Sequence, residues 1–139
     1  MRRVVVCLFV CLFGVALESS EAAILRVCAS GCAYNNLQPA IDAAQPGDTI
    51  LLRAGETFAG PFVLRNKPGA SAWIEIRSDA SDAVLPASGV RLVPSGKPGA
   101  NTSRSLLARL IGRGGTYRTT PVIRTEPGAR YYALRFLES

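Results

Sequence analysis

The feature that most constrains this chain is a set of short apolar–polar–apolar runs that recur at a fixed step. Ile50-Leu51-Leu52, Phe62-Val63-Leu64 and Ile74-Glu75-Ile76 each place apolar side chains two residues apart, on one face of a strand. Their first members are 12 residues apart, twice over. The neighbours Arg53, Arg65, Glu75 and Arg77 are charged, as expected of a face that meets water. Leu110, Val122 and Leu134 resume the step, and Leu134-Arg135-Phe136 restores the triplet. Residues 86–105 break it with Pro86, Pro94, Pro98 and several glycines, and read as an inserted loop. One layer of strands cannot bury its inner face alone, so the series predicts a stack. The spacing admits two arrangements, a β-sandwich or barrel and a coiled β-solenoid. In the solenoid two steps make one turn of about 24 residues, with residue 74 standing over residue 50.

A single helix precedes the strands. Leu37, Ala40, Ile41 and Ala44 share one face at helical spacing, while Gln38, Asp42 and Gln45 lie away from it. Asn35 or Asn36 caps the start, and Pro46-Gly47 stops the helix.

The stretch from Leu37 to Gly55 (LQPAIDAAQPGDTILLRAG) resembles the N-terminal start of right-handed parallel β-helix proteins of the pectate-lyase-like superfamily. Phe58, Gly60 and the Leu64 strand continue the likeness, and residues 106–137 carry a weaker form of it. The resemblance implies an all-β, right-handed parallel β-helix with an amphipathic helix over its first coil. In that arrangement Leu37, Ile41 and Ala44 cover the open end, and Gly47-Asp48 hand the chain into the first strand. An uncovered end would expose apolar side chains and unpaired backbone, which recruits other chains. Calcium enters only through the resemblance, and the residues themselves identify no cofactor.

The N-terminus reads as a secretory signal peptide spanning residues 1–22. Arg2 and Arg3 form a positive start, Val4 to Leu17 run without a charge, and Ser20-Glu21-Ala22 supplies the small residues that precede a cut before Ala23. The apolar run is shorter than the roughly 20 residues of a membrane span. Export, to the medium or a periplasm, suits the cysteines: Cys28 and Cys32 remain after the cut, with Gly31 between them to let the loop turn, and are expected to form a disulfide. Residues 23–139 then form one small domain.

The net charge of +6 survives the cut, since two arginines leave with two glutamates. Its arginines and lysines are scattered singly, with no run that would make a nucleic-acid arm, and outside the cell such a charge suits an acidic polysaccharide, an anionic envelope or simply a solvated exterior. The chain has no histidine, so histidine-based nucleophilic and zinc chemistries are excluded. Asp79 and Asp82 read as turn residues, and no pair of carboxylates has a separation fixed by the sequence.

Three functional readings follow. The first is the N-terminal portion of a secreted carbohydrate-active β-helix protein, of the polysaccharide lyase or hydrolase class, with its catalytic coils beyond residue 139. The second is a non-catalytic secreted module that binds glycans or adheres to surfaces. The third is a small complete β-sandwich. On the first, residues 130–138 are a strand with no following cover, and self-association is expected.

Overall fold

The computed structural model describes residues 21–87, 89–93, 97, 99–100, 104–113 and 121–138. Residues 1–20 of the segment read from sequence as a signal peptide lie outside the described residues, as do positions 88, 94–96, 98 and 101–103 of the loop segment.

Short strands and one helix make up the fold. In chain order they are β1 (Ile24–Val27), α1 (Leu37–Ala43), β2 (Thr49–Leu52), β3 (Thr57–Ala59), β4 (Phe62–Leu64), β5 (Ile74–Ser78), β6 (Ala108–Ile111), β7 (Ile123–Thr125), β8 (Tyr132–Arg135) and β9 (Leu137–Glu138). They pair in parallel as three small sheets, ordered β1-β2-β5-β8, β3-β6-β9 and β4-β7. Alternation sets the faces. In the first sheet Leu25, Ile50 and Ile76 lie in register on the inner side, and Ile24, Thr49 and Glu75 on the outer. Inward residues of all three sheets meet in one core with Leu37, Ala40, Ile41 and Ala44 of α1.

The expectation of an all-β right-handed parallel β-helix is corrected here. The described strands form three small sheets of four, three and two members beside one helix, with no closed or solenoid sheet. The physical reason lies in the connections. A solenoid of even turns needs one repeat length, whereas paired strands here are separated by anything from 25 residues (Ile24 to Thr49) to 61 (Phe62 to Ile123). The 12-residue step is likewise not a step within one sheet, because Ile50 and Ile74 belong to the first sheet and Phe62 to the two-stranded one. Residue 74 does not stand over residue 50. Ile76 does. That shift of two preserves the buried face, since strand side chains alternate with a period of two.

Two further strand expectations differ. β1 opens the sheet although Ile24-Leu25-Arg26-Val27 lies outside the triplet series. At the other end β8 stops at Arg135, because Phe136 takes a left-handed backbone (φ 54) and ends the strand. Leu134 is 46% exposed.

α1 follows its residues closely. Asn36 is the N-cap, and its side chain accepts the Gln38 N–H. Pro39 falls in the first turn, where its missing N–H removes no helical bond. The Ala44 N–H donates to the Ala40 carbonyl, and Gly47 (φ 102) turns the chain into β2. The helix packs against β1, β2 and β4, burying Leu37, Ile41 and Ala44. Gln38 is not idle on the far side. Its amide accepts the Val63 N–H (2.7 Å) and donates to the Val63 carbonyl (3.1 Å), occupying the edge of β4 as a neighbouring strand would. A side chain at Gly60 would meet the Val122 carbonyl at 2.8 Å, so only glycine lets β4 approach the chain leading into β7.

Candidate functional site

Acid–base chemistry would need carboxylates, and the structure gives each one from Asp42 onward a holding role. The Asp48 carboxylate is 5% exposed and accepts the Ala23 N–H (2.8 Å) and the Gln45 N–H (2.7 Å), tying the start of β1 to the start of β2. Asp79 accepts the Ala54 N–H (2.7 Å) and ties the ends of β5 and β2. Glu56 accepts the Ala29 N–H (2.8 Å) beside the bridge that joins Cys28 and Cys32, whose alpha carbons are 5.6 Å apart. Asp82 pairs with Arg77, Glu75 with Arg135 and Glu138 with Arg109.

Arg65 holds the last two. Its Nε donates to Asp42 (2.7 Å) and its Nη1 to Glu126 (2.8 Å), and Glu126 also accepts the Asn66 N–H. The hydrogen bond from Arg65 holds the carboxyls of Asp42 and Glu126 below their ordinary range and raises its own guanidinium further. The bond from Arg77 lowers Asp82 in the same way. Tyr132 donates its hydroxyl to the Arg65 carbonyl, and burial pushes its phenol up. Carboxylates held low by arginines stay ionised and cannot act as general acids near neutral pH. Among the described residues no group of three or more Cys, Asp or Glu side chains is placed to hold a metal ion.

A different surface emerges on the outer face of the first sheet. Trp73, just before β5, is 60% exposed, a large apolar side chain left in water. It meets Tyr131, just before β8, edge to face at 5.6 Å between ring centroids. Arg130 lies over the Tyr131 ring at 5.6 Å. The Ile74 N–H donates to the Tyr131 carbonyl (2.8 Å), which sets the two aromatic residues side by side. Next along the strands come Thr49, Glu75 and Ala133 in register, then Leu51, Arg77 and Arg135. Gly47, Thr49, Trp73, Glu75, Ala133 and Arg135 line a shallow depression of about 410 Å³. The arrangement is an aromatic platform with guanidinium groups within one strand repeat of it.

Of the residues singled out from sequence, Leu37, Ile41 and Ala44 come together under the sheets, Gly47 borders the depression and Asp48 is buried at the entry to β2. Cys28 and Cys32 stand apart, beyond the end of β1. Sequence reasoning passed over Trp73 and Tyr131. The signal was the parity that places residues 73, 75 and 77 on one side of a strand. No family model, curated protein or solved structure matches the chain.

Proposed function

We propose that this chain is a secreted module that binds acidic polysaccharide on the outer face of its four-stranded sheet. The observation that carries the reading is the exposed Trp73 against a half-buried Tyr131, beside Arg135 and Arg130. A flat indole offers a sugar ring apolar contact at little entropic cost, because few rotamers are lost. Guanidinium groups pair with carboxylates in two-pronged fashion, which selects uronic acids over neutral sugars. The carboxylates, each engaged by an arginine or a backbone N–H, support binding over acid–base cleavage.

The test is titration calorimetry with polygalacturonate and with a neutral galactan. Trp73→Ala should weaken uronate binding about tenfold, roughly 1.4 kcal/mol. Arg135→Gln should weaken it too, and the remaining binding should fall off more gently with salt. Equal binding of the neutral polymer, or unchanged affinity in Trp73→Ala, refutes the face. Release of unsaturated or reducing sugar ends would replace the binding reading with a lyase or hydrolase one.

A further inference from the structure

Asp48 is the one buried carboxylate among the described residues, and both groups bonded to it are neutral backbone amides. One of those amides belongs to Ala23, the residue that follows Ser20-Glu21-Ala22, where the sequence predicts signal cleavage. We infer that cleavage before Ala23 locks the mature fold by creating an ion pair between the new α-ammonium group and Asp48. The inference rests on the export reading above.

The chemistry is hydrolysis. Water adds across the Ala22–Ala23 peptide bond, leaving a carboxylate on Ala22 and an amine on Ala23 that takes up a proton. The nitrogen that becomes cationic already lies 2.8 Å from Asp48 Oδ1. The Ala23 carbonyl meanwhile accepts the Thr49 N–H (2.9 Å), which holds the new terminus in place against β2. Glu21, a second negative charge, departs with the signal. The other charges on the packed elements are engaged or face outward: Asp42 of α1 bonds Arg65, Glu75 of β5 bonds Arg135, and Arg26 of β1 is exposed. The bond is already charge-assisted through its carboxylate acceptor, and the cut makes the donor cationic as well, so coulombic attraction strengthens a contact that closes the first strand pair. An α-amino group has an ordinary pKa of about 8, and pairing with a carboxylate raises it. The added stability is therefore full below about pH 8 and is lost as pH rises through the raised value.

The experiment expresses the full chain for export, sequences the N-terminus of the product and melts it from about pH 6 to about pH 10. A glycine inserted between Ala22 and Ala23 moves the ammonium one residue away and keeps the neutral Ala23 amide bond. At low pH the wild-type product should melt roughly 5 °C above the insertion product, and the gap should close toward high pH. In an Asp48→Asn background the gap should vanish. No gap, a gap that ignores pH, or one that persists without Asp48 overturns the lock. If Asp48→Asn does not fold, the pH course of the first pair decides. A product beginning elsewhere than Ala23 overturns the lock and leaves export standing, whereas an unexported, uncut chain removes both.

Discussion

Ile41 offers a measurable test of what α1 contributes. Its side chain is fully buried, at 0% exposure, with Leu37 and Ala44 on the same face and β1, β2 and β4 beneath it. Ile41→Ala removes three carbons from a site walled by three strands, whose backbone is fixed by parallel pairing and cannot easily collapse inward. Core truncations of this kind cost about 2–5 kcal/mol, the larger values where the surroundings do not relax. We place this one near 3 kcal/mol, a large share of the roughly 5–15 kcal/mol of a small domain. With a urea dependence of about 1–3 kcal/mol per molar, the midpoint should fall by roughly 1–3 M. The assay is a urea titration followed by far-UV circular dichroism on the exported product. Gln45→Ala is the control, because its side chain is exposed and donates only to the Ala43 carbonyl at 3.3 Å. Equal midpoints for the two variants would refute the claim that the helix seals the core.

Gln38→Ala leaves the Val63 N–H and carbonyl without their side-chain partners, and should lower stability by about 1–2 kcal/mol in the same titration; a loss below about 0.3 kcal/mol would show that water replaces the amide. Asp42, Glu126 and Asp82 have depressed values in the fold, so their contribution is present above the ordinary carboxylate range of about 4 and lost as pH falls through the depressed values. Melting temperature should drop below about pH 4, and Arg65→Met should flatten that drop; an unchanged acid limb would remove the Arg65 cluster from the account. Leu134→Lys puts a charge on an exposed position of the last strand of the first sheet and should shift sedimentation toward monomer; if the wild-type product is already monomeric at the same concentration, the edge is not sticky.

The helix was legible because its signals are local. The spacing of Leu37, Ile41 and Ala44, the Asn36 cap and the Pro46-Gly47 stop all act within a dozen residues. Strand positions were legible for the same reason, since Ile50, Phe62, Leu64, Ile74 and Ile76 all point inward. Strand pairing was not. Register depends on how many residues each connection takes up, and nothing near Thr57-Phe58-Ala59 says that its partner begins at Arg109. The evenness of the 12-residue step therefore suggested a regular coil where the pairing distances are unequal. β1 escaped notice because Ile24 is exposed and Arg26 faces out, so only Leu25 and Val27 carry the pattern. The candidate face was hidden for a related reason. Trp73 and Tyr131 lie far apart in sequence and become neighbours only through the pairing of β5 with β8.

That pairing also explains how a scattered basic charge gains a direction. Asp48, Asp79, Glu56 and Glu126 sit between or just beyond strands, where each accepts a backbone N–H from another segment of the chain. A carboxylate is suited to this work, since it accepts without donating and holds its bonds over a wide pH range. The acids are thereby drawn to the turns that join unequal connections. The outer face of the first sheet carries Arg26, Arg77 and Arg135, of which Arg77 is paired with Asp82 and Arg135 with Glu75. Three arginines against two acids thus leave a net positive charge on the face beside Trp73, the most exposed aromatic side chain among the described residues. On the proposed reading an anionic sugar polymer meets both features at once, which a neutral polymer or a small inorganic anion does not.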